Sequence, residues 1–501
     1  MLRPTHSGFI LAALVALGAA VLSACNNSNQ PGSTAAASAG GKIPVTTTSE
    51  EARKEFLQGQ SMADRLLGQE SLQHFDQALA LDPDFASAEL ARANNSPTAQ
   101  EFFNHLRKSV SLAGKASNGE KLLILAAEAA TNGDATKQKQ YLEQLVAAYP
   151  NDERAHFNLA NYYAGQQDQA QAIEHYNRST ALAPDFSGAY NSLGYAYRTQ
   201  GDYADAEQSF KKYIELIPND PNPYDSYAEL LLKMGRFDDS IAQYRKALSI
   251  DPHFVPSHFG ISADLMYTGK ADAAAAELQK MAAQARNDGE LRTALFGLCV
   301  VAADRGKMDE SLQQIDKEYA VAEKKSDVAA MAADLQAKGL ITLETQKYDA
   351  AAQIFDRSEQ LIEDSNQSQE IKDNARLFHH FNLAAVAIAR KDFASAKTHA
   401  EEFRKGAETS KNPAVGKQRH ELAGRLALAQ KDYDQAIAEL QQANQQDPRN
   451  LYRLGQAYEG KGSTAKAHDF YTQAAGFNPL PQLNYAFIRA KAQRLAAGKQ
   501  G

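Results

Sequence analysis

Pro150, Pro184, Pro218 and Pro252 stand 34 residues apart, and no other feature restricts the folding of this chain as much. Gly133, Gly201, Gly235 and Gly269 fall on the same grid, with Gln167 at its one vacant node. Ala172, Ala206, Ser240 and Ala274 keep the phase, as do the aromatics Tyr176, Phe210 and Tyr244. Four residue classes in one register mean a tandem array of supersecondary units, each too small to bury its apolar stripe alone. In residues 187–220, Tyr190, Leu193, Gly194 and Tyr197 recur at spacings of three and four and share one helical face. Gly201-Asp202 makes a turn, and Ala206, Phe210 and Tyr213 form the stripe of a second helix. Pro218, lacking an N–H, ends it. The predicted fold is all-α, and composition agrees: Gly and Pro are only 30 and 16 of 501 residues, below average usage.

The unit with Gly194 and Ala206 at the close approach of its helices, Tyr197 and Phe210 beside them and Pro218 at its end resembles the tetratricopeptide repeat. The resemblance implies an α-α superhelix, a solenoid of stacked helical hairpins. Clear units span 153–186, 187–220, 221–254 and 255–287, with a weaker one at 119–152. Residues 71–78, followed by Asp82-Pro83, read as the second helix of another. Past 290 the turns at Gly306, Gln346, Lys391 and Lys431 are 40, 45 and 40 residues apart, so longer helices or inserts such as 363–373 are expected. The pattern returns at Leu451, Leu454, Gly455, Tyr458, Gly462, Ala467, Tyr471, Ala474 and Pro479, and the basic, amphipathic stretch 485–496 is expected to cap the array. The layout read from the sequence is a signal peptide at 1–24, a tether at 25–49, an N-terminal array at 50–290 and a divergent array at 291–500.

The first two of these divisions rest on the N-terminus. Fourteen apolar residues, 9–22, follow Arg3; they are short for a membrane span and right for the core of a signal peptide. Leu22-Ser23-Ala24-Cys25 resembles the lipobox of bacterial lipoproteins, which implies cleavage before Cys25 and lipidation, including palmitate, on its sulfur. Asn26 stands where an Asp favours inner-membrane retention, so the resemblance implies the periplasmic face of the outer membrane. Residues 26–48 are polar and rich in Gly, Ser and Ala, as a disordered tether would be. Loss of Arg3 with the signal peptide takes the net charge from −8 to −9, the wrong sign for nucleic acid.

Repeats and repeat-like hairpins occupy nearly all of 50–500, whereas a catalytic domain needs on the order of 100 residues of its own. No enzyme activity, cofactor or metal is expected. The near-match to a phosphate-binding loop at 455–462 has Gly462 where Ser or Thr must meet magnesium, and it lies along a helix. His156, His258, His380 and His420 take the place of Tyr190 in their units, where a ring packs between helices. Cys299 aligns with Gly194 and reads as a buried thiol. Acid pairs such as Asp238-Asp239 lie at turns.

What a stacked array offers is an inner wall built from the first helices. The resemblance places ligand contacts at Phe157, Asn161, Asn191, Tyr195, Arg198, Asp225, Glu229, Lys233, Phe259 and Met266, a mixture suited to an extended peptide or a partner helix. Phe157, Ser192 and Ser226 occupy positions at which co-chaperones of this family grip a C-terminal carboxylate, which argues against that mode. The leading expectation is a lipid-anchored, non-catalytic adaptor of the envelope, of the kind that scaffolds cell-wall enzymes, pilus assembly or polysaccharide export. The alternative is an envelope enzyme or a metal or small-molecule binder with a site near His379, His380, His399 and His420. A secretion-channel arm ranks last, since such chains are expected to continue into a β-barrel.

Overall fold

The computed structural model describes residues 41–498 apart from 66, 97, 98, 411 and 412. The signal segment, Cys25 and the first part of the tether lie outside the described residues. Among the described residues all regular structure is helical. The chain divides into two compact units, one ending at Leu230 and the other starting at Leu231, inside a helix and well before the loosening at 290.

The first unit is a run of antiparallel hairpins. They are α1 (Glu50–Asp64) with α2 (Gly68–Leu81), α3 (Ala86–Asn94) with α4 (Ala99–Leu112), and α5 (Asn118–Thr131) with α6 (Ala135–Ala148). Then come α7 (Glu153–Gly165) with α8 (Gln169–Leu182) and α9 (Ser187–Gln200) with α10 (Tyr203–Leu216). The division between units falls in α11 (Pro221–Lys233).

The second unit continues with α12 (Phe237–Ile250), α13 (Val255–Tyr267) and α14 (Ala271–Ala283). Longer hairpins follow: α15 (Asp288–Asp304) with α16 (Met308–Lys324), α17 (Val328–Glu344) with α18 (Tyr348–Glu363), and α19 (Gln369–Arg390) with α20 (Phe393–Thr409). The last are α21 (Pro413–Ala429) with α22 (Tyr433–Gln442) and α23 (Pro448–Gly460) with α24 (Thr464–Ala475), before the short α25 (Leu483–Ala486) and α26 (Arg489–Ala496).

The 34-residue grid has a direct backbone cause. From α5 onward each hairpin turn has one residue at positive φ, and Gly133, Gly201, Gly235, Gly269, Gly306 and Gly462 supply it without strain. Gln167, Gln346, Lys391 and Lys431 hold the same conformation at φ 61–64°, so the turns were legible even where glycine is missing. The next residue often caps the second helix: the carboxylates of Asp134, Asp168, Asp202, Asp392 and Asp432 each accept a backbone N–H three residues on. The wide spacings past 290 come from longer helices, as expected: α15, α16, α17 and α20 have 17 residues each and α19 has 22.

Close approach of the two helices explains the small residues. A Cβ on Gly194 would lie 2.7 Å from the Phe210 ring, one on Gly339 2.4 Å from Phe355, and one on Gly455 2.5 Å from Tyr471. Tyr176, Phe210, Tyr213, Tyr244 and Phe355 are buried in these seams, each contributing on the order of 2 kcal/mol. Cys299 is buried as predicted, its Sγ 3.1 Å from Ser311 Oγ, and burial pushes its pKa up to about 12, so it is a poor nucleophile.

Both ends of the described chain hold more structure than their composition indicates. The tether is fastened from Lys42 onward: Lys42 pairs with Glu153, Ile43 N–H donates to Asp152 (2.8 Å), and Thr46 N–H to Glu120 (2.9 Å). Thr47 and Thr48 both donate to Asp82, whose carboxyl these bonds hold below its usual range against the opposing effect of burial. At the other end α26 lies along α24 like a cap, but the preceding residues do not stay on the surface. Leu483, Tyr485, Phe487 and Ile488 enter the core that contains Phe259, Met266, Val300 and Leu451. Tyr267 Oη donates to the Pro479 carbonyl (2.6 Å), and Arg489 grips Asp304 with two bonds of 2.7 and 2.5 Å.

Candidate binding groove

The ten inner-wall positions named from the sequence separate into two groups. In the first unit, Phe157, Asn161, Asn191, Tyr195 and Arg198 are part-exposed on α7 and α9. Phe157 packs against Tyr176 and Phe186, with ring centroids at 5.8 and 5.0 Å. Asn161 Oδ1 accepts from Tyr176 Oη at 2.6 Å, which fixes the amide and leaves its N–H donors for another acceptor. Tyr195 stands edge-on to Phe210 and donates to Ser226 Oγ at 3.2 Å. Arg198 stacks over Tyr195 at 4.6 Å and donates to Glu229 at 3.1 Å. These side chains are held in place before anything binds.

The end of α1 closes one side of this wall. Asp64 receives two bonds from Arg154, at 3.1 and 2.6 Å, and its carbonyl lies 3.2 Å from where Gly188 would carry a Cβ. Two buried polar atoms on the segments that meet there have no hydrogen-bond partner among the described residues: Arg65 Nε and Asn191 Oδ1. Buried polar atoms are rarely left so, and each costs about 1–3 kcal/mol.

The remaining positions are not free surface. Asp225 is fully buried and Glu229 nearly so, the latter tied to Arg198. Phe259 and Met266 are 5% and 1% exposed and belong to the core that the C-terminal segment completes. Lys233 Nζ donates to the Phe477 carbonyl (2.7 Å) and sits 3.5 Å from the centre of that ring. The expectation of an open wall at these three residues is therefore corrected: the chain's own residues 477–488 fill it. Periodicity placed them on the right face and could not reveal what covers that face.

The histidines pair within hairpins. His156 Nε2–H donates to the Pro150 carbonyl (3.1 Å), which leaves Nδ1 to accept from Nδ1–H of His175 at 3.0 Å. His380 and His399 repeat the contact at 3.0 Å, while His258 meets Glu277 (2.6 Å) and His420 meets Glu439 (2.7 Å). Among the described residues no group of three or more His, Cys, Asp or Glu is placed to hold a metal. Burial lowers the pKa of His156, His175, His380 and His399, helped for His175 and His399 by the neighbouring imidazole. The folded chain resists protons that the unfolded chain accepts below about pH 6.5. Stability is then fully present above that pH and falls as pH drops through the histidine range, by at most about 1.4 kcal/mol per pH unit for each group. The urea midpoint should decline between pH 7.5 and 5.5, less so with His175→Gln and His399→Gln; equal slopes in variant and parent would contradict the assignment.

Residues 125–185, 166–221 and 421–480 match a family model described as tetratricopeptide repeat, and 197–265 match a second of the same description. The chain contains tetratricopeptide repeats over these residues. Solved structures with a similar arrangement include MamA, at 22% identity and a TM-score of 0.30, covering 32% of this chain and 89% of that one. YrrB, described as a TPR protein with an unusual peptide-binding site, is 17% identical with a TM-score of 0.27, covering 38% of this chain and 95% of that one. A tetratricopeptide repeat protein from Parabacteroides merdae is 13% identical with a TM-score of 0.34, covering 57% and 99%. No curated protein matches the sequence.

Proposed function

We propose that this chain is a non-catalytic scaffold of the bacterial envelope that docks partner polypeptides on the inner wall of its first unit. The observation that carries the reading is a set of part-exposed Asn, Tyr and Arg side chains on α7 and α9 that their neighbours hold in fixed positions. Asn161 keeps its amide N–H donors for a partner's backbone carbonyl, while Tyr195 and Arg198 provide the aromatic and guanidinium anchors common at interface centres. The Leu22–Cys25 motif supports lipid anchoring at the outer membrane.

Changing Asn161, Asn191, Tyr195 and Arg198 together to Ala should reduce partner recovery from envelope extracts at least tenfold while the helical circular dichroism stays unchanged. Undiminished recovery would defeat the groove assignment. Metabolic labelling with a palmitate analogue should mark the parent and not Cys25→Ser; label retained by that variant would defeat the anchor.

A further inference from the structure

The second unit carries a cluster of arginines on first helices, at positions equivalent to inner-wall positions of the best repeat. Arg425 of α21 corresponds to Tyr195, and Arg449 and Arg453 of α23 correspond to Gly188 and Ser192. Arg453 uses Glu421 (2.8 Å) and Asn450 Oδ1 (2.8 Å); Arg449 uses Asp447 (3.1 Å), which also accepts from Asn484 (3.1 Å). Arg425 is left over. Its side chain is 15% exposed, and its partners among the described residues are Glu421 at 3.7 Å, too long for a hydrogen bond, and the Phe381 ring at 5.9 Å.

The surrounding charges do not cancel. Three guanidinium groups and Lys491 face Glu421, Asp447 and Glu344, the last shared with Lys491 at 3.6 Å, which leaves one positive charge over. Burial, reinforced by Arg453 and Arg449, pushes the Arg425 pKa down to about 9. A desolvated cation with five unused donors is costly in the empty protein, and an incoming anion relieves that cost.

We propose that Arg425 is the centre of an anion site that takes a single carboxylate from an acidic polypeptide, held by the planar guanidinium beside Phe381. One uncompensated positive charge matches a monoanion, whereas a phosphate dianion would overshoot it. The inference rests on the reading of this chain as a polypeptide-binding scaffold and adds a second contact, separate from Tyr195 and Arg198.

Fluorescein-labelled hexaglutamate, titrated into the full chain in low salt, should bind, and Arg425→Gln should weaken binding at least tenfold. Hexaglutamine should not bind, and millimolar inorganic phosphate should not displace the acidic peptide. Arg425→Met should melt at or above the parent temperature without ligand, because it removes a largely desolvated charge that makes no hydrogen bond and keeps the stem's packing. Equal binding by Arg425→Gln, displacement by phosphate, or a lower melting temperature for Arg425→Met would each overturn the site. If hexaglutamate fails while recovery of the envelope partner still depends on Tyr195 and Arg198, this site alone is wrong. If hexaglutamate binds through Arg425 while that recovery is unaffected, the first-unit groove alone is wrong.

Discussion

Tyr485→Ala is expected to destabilise the second unit by about 3–5 kcal/mol, the range for removing a large buried side chain that its surroundings cannot close over. Tyr485 is 1% exposed and stands edge-on to Tyr267 at 5.4 Å, with Phe477 on another side at 6.4 Å. Its hydroxyl donates to the Ala475 carbonyl at 2.5 Å, at the end of α24. Truncation therefore opens a cavity where the C-terminal segment meets α13 and also strips a helix-end carbonyl of its donor. Tyr485→Phe keeps the ring and should lose only about 1 kcal/mol. Urea unfolding followed by circular dichroism separates the cases. A small loss for both variants would mean that the segment rests on the surface and does not complete the core.

The second large effect concerns packing in the opposite sense. Gly260→Ala places a Cβ 2.0 Å from Cζ of Tyr244, a ring that is fully buried between hairpins and cannot swing away. Overpacking of this kind costs about 3 kcal/mol, the upper part of its usual range. The shorter Tyr244→Leu side chain relieves the clash, so the double variant should be more stable than the sum of the two single changes. Gly416→Ala is the control: among the described residues no atom lies within 4 Å of a new Cβ at this site on α21, and the change should stabilise by about 0.5–1 kcal/mol. Thermal melting of the two single variants, the double variant and the control measures all of this. Equal small effects at both glycines would contradict the role assigned to Gly260.

The hairpins were legible because their determinants are local. A positive-φ turn, an Asp cap and a small residue facing a ring lie within one repeat, and that is why Gln167, Gln346, Lys391 and Lys431 were placed correctly without glycine. The hairpin of α3 and α4 escaped notice because α3 has only nine residues, too few to show a period. Long-range closure was the harder part. Nothing in the sequence near Phe259 and Met266 says that residues 477–488 will cover them, and nothing in Gly, Ser and Ala content says that Lys42 to Thr48 will meet Asp82, Glu120 and Asp152. The arginines of α21 and α23 could have been found by carrying the inner-wall register past 290; the signal was three cations in that register where the well-repeated block has mixed residues.

The inner wall of the first unit can be tested in cells with a photoactivatable benzoylphenylalanine at one position at a time. Placed at Tyr195, it is predicted to cross-link a partner polypeptide; placed at Gln208, exposed on the second helix of the same hairpin, it is predicted to give no such product. Products of equal yield from both positions, or from Gln208 alone, would contradict the assignment of binding to this wall.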